Sequence, residues 1–472
     1  MVKKKQCKFD RDKMIEITNL TKDQHNGLYE LKKWYKEDDD DMICLSGSAG
    51  TGKSTLVKEF IKANQLYYDS CCVAAPTHQA KEVISEMTGI KTAKTVQELL
   101  GLKPDTDLAN FNPNNPIFKP IKRAKMLDYD MVIIDEASMV NKELHTQISE
   151  LSKDYNIKVL YVGDPYQLNP INEKISTVFT NIKNIELHEI VRQKGSNPIS
   201  ELIALARADV INNTETFINF IKNHANVTGN EEGYNIYRVN KDFFNELCLV
   251  NRTDDLTKCL SYTNETTDIW NTECRKVLLD NPKDIITNRD NLIGTNTIGD
   301  GKGELIIQNS SQYEVVGATP YTNTRFGPAI QTYDTHLRKH NNTNSYVQIV
   351  HPDSYNDFIK LDDKHRYKAR SYGWKQYYQF RNAFCLMETL NYTSELITEL
   401  SDRGTEVFAK QQIKRDLAYS FALTVHKSQG STYNNIFLNL VNIMRNRNKE
   451  ERNRLIYVGL SRARKSISIL TN

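Results

Sequence analysis

Short, unbroken apolar runs punctuate the first two hundred residues. Met42-Ile-Cys-Leu45, Cys71-Cys-Val-Ala-Ala75, Met131-Val-Ile-Ile134 and Val159-Leu-Tyr-Val162 show no polar alternation, which predicts strands covered on both faces. Helix-like stretches separate them, at Ser54–Lys62 and at Thr77–Met87. Alternating strands and helices predict a doubly wound parallel sheet, whose ligands bind at the carboxyl ends of the strands. The segment Gly101–Lys122 breaks the rhythm with Pro104, Pro113, Pro116 and Pro120, and its turn-like centre Asn112–Pro116 predicts an inserted hairpin. Further on, Cys259–Tyr262 reads as a strand and Glu265–Leu279 as a helix. Residues 297–406 read as β-like, with Glu304–Gln308 and Tyr313–Val316 as strands and an aromatic, basic stretch at Tyr367–Phe384. Leu455–Val458 and Ile467–Leu470 are read as strands of a returning α/β unit. The pattern therefore predicts a second α/β domain interrupted by a β insertion.

A chain of 472 residues is too long for one core and implies about two to four domains. With 39% hydrophobic and 26% charged residues it falls in the soluble globular class. A net charge of +3 neither demands nor excludes nucleic acid, so any basic groove must come from local arrangement. The 8 cysteines show no CxxC and no metal-ligand spacing. Cys44, Cys71 and Cys72 sit in apolar runs, which predicts buried, reduced thiols and a cytosol-like compartment. No apolar run approaches membrane-spanning length, and Met1-Val-Lys-Lys-Lys-Gln has no apolar region behind its charged head. No membrane association and a cytoplasmic location are expected.

The chemistry concentrates in Gly47-Ser48-Ala49-Gly50-Thr51-Gly52-Lys53-Ser54-Thr55, between a strand-like and a helix-like run. This is a P-loop in its required context: glycines let the backbone wrap a triphosphate, so that amides and a helix N-terminus face the anion. Lys53 reaches the β/γ-phosphates of ATP, and the Ser54 hydroxyl can ligate Mg²⁺. Asp135 and Glu136 follow the strand beginning at Met131. Asp135 can hold Mg²⁺ as the second half of the site, and Glu136 can polarise the attacking water. An acidic pair there also suits a helix N-terminus. Gly163-Asp164-Pro-Tyr-Gln167 ends the next strand. Gln167 is placed to sense the γ-phosphate, though Gly-Asp-Pro alone is ordinary turn chemistry.

In family order, from residue 20 to residue 465, the chain resembles the superfamily 1 helicases, and within them the 5′→3′ branch of RecD and Dda type. Leu20-Thr21-Lys-Asp-Gln24 resembles the adenine-reading glutamine motif. Ala75-Pro76-Thr77-His78 and Thr95-Val-Gln-Glu-Leu-Leu100 resemble two single-strand DNA motifs, and Leu187–Gln193 resembles the arginine motif around Arg192. Ala422–Gly430 and Tyr457–Arg464 resemble the last two motifs. The resemblance implies two RecA-like P-loop domains in tandem: residues 1–198, with a pin hairpin at about 96–122, and residues 199–295 with 413–472. Residues 296–412 would form an inserted SH3-like β domain and an arm. It implies γ-phosphate contacts from Arg192 and Arg462, nucleotide contacts from Gln24 and Gly430, and a DNA path along Pro76, Thr77, His78, Thr95, Asn264, Thr424 and His426. Side chains of those polar types bind phosphate oxygens without reading sequence. They also cap helices and turns. The chain departs from the family at Gln97, where histidine is usual, at Asn169, where proline is usual, and at Ser431-Thr432, where many relatives carry an acid.

Family members use the hairpin as a pin that splits duplex. Phe111 beside the turn is the candidate wedge, with Phe118 or a packing role for Phe111 as alternatives. The stretch Tyr372–Arg381 either binds bases or packs as an arm. The expectation is an ATP-dependent, Mg²⁺-requiring DNA helicase, monomeric, acting 5′→3′ on single strands and single-strand/duplex junctions in replication, recombination or repair. A single-strand-binding or replication protein is a candidate partner. A translocase that strips proteins and a nucleotide-regulated single-strand-binding scaffold are the rival readings.

Overall fold

The computed structural model describes residues 20–37, 39–66, 70–104, 117–170, 173–191, 198–224, 233–299, 305–400 and 406–472. Arg192 and Phe111, with the Asn112–Pro116 turn, lie outside the described residues.

The first part of the chain supplies β1 (Met42–Gly47), β2 (Cys71–Ala75), β3 (Ala93–Thr95), β4 (Leu102–Pro104), β5 (Phe118–Pro120), β6 (Met131–Ile134), β7 (Lys158–Gly163) and β8 (Asn184–Leu187). Six of these form one parallel sheet in the order β3-β2-β6-β7-β1-β8. Alternate residues of each strand enter different cores. Ile43, Leu45, Cys71, Val73, Met131 and Ile133 pack with Leu56, Val57 and Phe60 of the helix Lys53–Ala63. Cys44, Cys72, Ala74, Val132 and Ile134 pack on the other face with Ile148 of the helix Lys142–Tyr155. Both faces being covered is why these strands read as continuous apolar runs. β4 and β5 pair antiparallel as the base of the inserted hairpin.

A second sheet begins with β9 (Tyr234–Tyr237) and β10 (Thr257–Ser261). The chain then leaves it through β11 (Asn291–Gly294), β12 (Ile298–Gly299), β13 (Leu305–Ile307), β14 (Gln312–Asn323), β15 (Ile330–Arg338), β16 (Asn344–Val350), β17 (Leu390–Leu400), β18 (Glu406–Ile413) and β19 (Leu417–Tyr419). It returns as β20 (Ala422–Thr424), β21 (Tyr433–Asn439) and β22 (Ala463–Leu470). The second sheet is again parallel, in the order β20-β10-β21-β22-β9. The excursion forms its own antiparallel sheet, β16-β15-β14-β11-β19.

Two readings of the sequence need correction. Leu455–Val458 is not a strand but the middle of the helix Lys449–Ser461. Every residue from Asn453 to Ser461 is buried, so no polar face interrupts the apolar run, and a short run of this kind does not distinguish strand from buried helix. The Asn448 side chain caps that helix by accepting from the Glu451 amide at 3.3 Å. Residues 297–406 are not β throughout: the helices Tyr355–Tyr372 and Lys375–Arg381 lie between β16 and β17. Of their aromatics, Tyr377 and Phe380 are buried, with Phe380 stacked on Phe358, while Tyr367 and Tyr372 are exposed.

The excursion is tied to the second sheet's helix Asn264–Leu278 by a buried ion pair. Arg275 donates from Nε to Asp290 Oδ1 at 2.7 Å and from Nη2 to Asp290 Oδ2 at 2.9 Å, with the guanidinium over the Tyr419 ring. Asp290 has no exposed surface. Removing one partner of such a pair strands the other charge in a dry site. Arg275→Met is expected to cost about 3–5 kcal/mol of stability, measured by denaturant unfolding. A loss below about 1 kcal/mol, the value of a surface pair, would mean that Asp290 finds water or another donor.

Candidate nucleotide site and DNA-facing cleft

The P-loop turns from β1 into the helix Lys53–Ala63. Gly52, the residue before that helix, has φ 76°, and a Cβ there would lie 2.1 Å from Gln24 Nε2. Only glycine accommodates both the left-handed backbone and that approach. Gln24 is buried and donates from Nε2 to Thr51 O at 3.0 Å, while its Oε1 accepts from the Thr21 amide. Lys53 Nζ is folded back onto its own loop, donating to Gly47 O at 2.6 Å and Ser48 O at 3.0 Å. Ser54 is half-buried beside it and Thr55 is exposed.

Asp135 and Glu136 follow the carboxyl end of β6. Glu136 sits at φ 53°, a left-handed conformation that costs a non-glycine residue energy and concentrates at functional sites. Burial pushes its carboxyl up to about 7; the Arg462 guanidinium opposes that rise and Asp135 adds to it. Burial also raises Asp135, against its backbone hydrogen bond and Lys53. Gln167 is buried, and its Oε1 has no hydrogen-bond partner among the described residues. Arg462 closes the helix Lys449–Ser461, with Nε on Val458 O and Nη1 on Ser431 O, each at 3.3 Å. Ser54 and Asp135 offer a hydroxyl and a carboxylate, the hard oxygen donors that Mg²⁺ takes together with substrate phosphates. No cluster of three or more His, Cys, Asp or Glu suited to a metal exists among the described residues.

Three side chains absent from the sequence-based assignment also meet this loop or the Asp164–Gln167 turn beside it. Arg207, on the helix Pro198–Asn212, donates to Ser48 Oγ at 2.7 Å. Tyr457 accepts from the Ala49 amide at 2.9 Å and donates to Asp164 Oδ2 at 2.6 Å. Arg454 donates to Pro165 O at 2.8 Å and Gln167 O at 2.7 Å. Arg454 and Tyr457 are three apart and so share a helix face, a spacing that carries no meaning while 455–458 is read as a strand. Arg207 has no local sequence signal. Gly430 has φ 76° and packs so closely on the first sheet's helix His78–Thr88 that an added Cβ would lie 2.9 Å from Ala80 Cβ.

The remaining candidates fall into two groups, each at carboxyl ends of parallel strands. β2 and β3 place Ala75 beside Thr95, so that Pro76, Thr77, His78 and Thr95 line one wall of a cleft of about 620 Å³. The hairpin base contributes Leu102, Pro104 and Phe118 to the same wall; the opposite wall includes Asn296, Tyr378, Arg381 and Lys414. Asn264, Thr424 and His426 are not among its lining residues and gather instead at the ends of β10 and β20. Several hydroxyls already have local work. Thr77 caps its helix from the Ala80 amide, Thr95 forms a capping box with Glu98, and Thr424 accepts from the Lys427 amide. Burial, reinforced by the Lys81 ammonium, pushes His78 down to about 4, so its ring is neutral at pH 7.

Comparison with known proteins bears on this arrangement. Residues 22–232 match the family model described as "AAA domain", and residues 419–470 match "UvrD-like helicase C-terminal domain". The ATP-dependent DNA helicase dda of Enterobacteria phage T4 is 28% identical, the alignment covering 66% of this chain and 70% of that protein. Protein R530 of Acanthamoeba polyphaga mimivirus is 22% identical over 93% of this chain and 97% of its own. The crystal structure of the Pif1 helicase from Candida albicans superimposes with a TM-score of 0.50 at 19% identity, covering 96% of this chain and 94% of that one, which shows a shared fold.

His78 gives a pH prediction. Its folded-state value lies below that of an unfolded histidine, so between pH 6.5 and about 4 the unfolded chain takes up a proton that the folded one refuses. Stability contributed by the neutral ring is present above that window and is lost as pH falls through it. His78→Gln is therefore expected to lose less stability than the wild type between pH 7 and pH 5, read from denaturation midpoints. Equal losses in both proteins would show that His78 is not the group responsible.

Proposed function

The chain belongs to the superfamily 1 ATP-dependent DNA helicases of the RecD, Dda and Pif1 type, and we propose that it moves 5′→3′ on single-stranded DNA and unwinds the duplex ahead of it. Its two parallel sheets are the tandem RecA-like domains of that family, and the antiparallel sheet with its two helices is read as the inserted β domain and arm. The observation that carries the reading is the seating of the second sheet's helix Lys449–Ser461 on the first sheet's P-loop. Arg462 ends that helix, and its charge reaches the Glu136 carboxyl. A phosphoryl group held there would meet Lys53 from one domain and Arg462 from the other, cations poised where negative charge develops. Ser54 and Asp135 would hold Mg²⁺, which neutralises phosphate charge. Glu136 would orient and deprotonate water, for which a carboxyl raised toward neutrality is suited.

Single-stranded DNA is assigned to the cleft walled by Pro76, Thr77, His78 and Thr95, with Asn264, Thr424 and His426 gripping from the second domain. A neutral His78 would act there as a hydrogen-bonding group rather than a counter-charge. Arg192 and Phe111 keep their proposed roles as γ-phosphate contact and wedge. Nucleotide-driven closure alternates the two grips, a ligand contacting groups available in only one domain arrangement.

The direct test is unwinding of matched duplexes with a 5′ or a 3′ single-stranded tail in the presence of ATP. Strand separation from the 5′-tailed substrate is expected, and preference for the 3′ tail would reverse the polarity. For the nucleotide site, Lys53→Ala should reduce DNA-stimulated hydrolysis by at least about 10²-fold, the cost of losing one preorganised donor. Glu136→Gln should stop turnover while retaining nucleotide affinity, because the amide preserves shape but accepts no proton. Loss of affinity in the Gln variant would make Glu136 a structural residue.

A further inference from the structure

We propose that Tyr457 is a positioning residue for ATP binding: its hydroxyl holds the P-loop to the second domain and lets go of Ala49 when a triphosphate arrives. The inference rests on the reading of this loop as a nucleotide site. A phenol hydroxyl has one proton to give and lone pairs to accept with. Here both capacities are used at once, toward the Ala49 amide and toward Asp164. The bond to Asp164 is short and charge-assisted, the stronger of the two. The Tyr457 side chain has no exposed surface. Burial, with the Asp164 charge, holds its phenol well above the ordinary value, so the proton stays on oxygen.

The weaker bond is the one aimed at the loop. P-loop amides are oriented toward an anion, and a phosphate oxygen carries more negative charge than a neutral phenol. The two acceptors therefore compete for Ala49. When the amide turns to phosphate, Tyr457 keeps Asp164 and releases the loop. Its helix is then held to the first domain by Tyr457 on Asp164 and by Arg454 on Pro165 O and Gln167 O. That same helix ends at Arg462, whose guanidinium rests on Val458 O and Ser431 O within its own domain. Occupancy of the loop is thereby passed to the element carrying Arg462. By linkage, a contact that must break on binding weakens that binding by the same free energy.

Tyr457→Phe removes the hydroxyl and keeps the ring. Equilibrium titration with a fluorescent, non-hydrolysable ATP analogue in the absence of DNA is expected to show roughly three- to ten-fold tighter binding, the scale of one hydrogen bond. KM for ATP should fall in parallel, while kcat at saturating DNA changes less. Without nucleotide the variant should melt lower than the wild type, and the analogue should raise its melting temperature by more. Unchanged or weaker affinity in the variant overturns the proposal, as does a lower melting temperature with no change in affinity, which is the result of a purely structural role. Failure of the underlying assignment looks different: the wild type would not bind the analogue, or Lys53→Ala would bind it as tightly as the wild type.

Discussion

A loop that wraps phosphate exposes backbone amides and carbonyls that a simple strand-to-helix turn would bond internally, and buried polar groups left alone are costly. Much of the molecule is arranged around satisfying that one loop. The helix Lys22–Glu37 sends Gln24 to Thr51 O, and Lys53 bends back to Gly47 O and Ser48 O. The Val191 amide bonds Gly50 O at 2.9 Å. The second domain supplies Arg207 and Tyr457. Apart from Lys53, the partners thus come from segments distant in sequence. A nucleotide that takes over some of these bonds necessarily changes what the donor segments are attached to.

Buried charge does comparable work away from the loop. Arg275 with Asp290 and Arg381 with Asp416 each join segments of the excursion to one another or to the second domain, while Arg366, paired with Asp362 on its own helix, donates to Gln412 O of β18. Lys339, which follows β15, reaches across to Glu82 on the helix His78–Thr88 and also to Gln308, so the antiparallel sheet is anchored to the helix that opens with His78. Such pairs are poor sources of net stability, because desolvation offsets attraction, but they tolerate few alternative geometries. Their use at the junctions fits a molecule whose parts must meet in definite registers.

The first sheet was legible because its strands are apolar on both faces and its turns carry glycine and acid. The P-loop and the Asp135–Glu136 pair were legible because their chemistry is local in sequence. The helix Lys449–Ser461 was not, since complete burial erased the polar face that gives a helix its period. With it went the pairing of Arg454 and Tyr457. Arg207 was beyond reach for another reason: it meets Ser48 only through the packing of two domains, and nothing near residue 207 marks it. Thr77 and Thr95 carried two meanings at once, and the fold uses their hydroxyls as caps. Gly430 likewise combines a left-handed backbone with a close approach to Ala80, a contact no single-chain pattern announces.

The interleaved order of the second sheet has a consequence for how this chain is made. The strands of the first sheet lie between Met42 and Leu187, so that sheet can close while the rest is still being synthesised. The second cannot. β10 must wait for β20 and β21, and β9 finds its only sheet neighbour among the described residues in β22, within the last ten residues. Meanwhile β11 can pair with β14, giving the excursion a start of its own. The entropy of closing so long a loop grows only slowly with its length, so the delay is a matter of time rather than of final stability. Until then the backbone N–H and C=O groups along β9 and β10 lack the partner strands that satisfy them in the folded sheet.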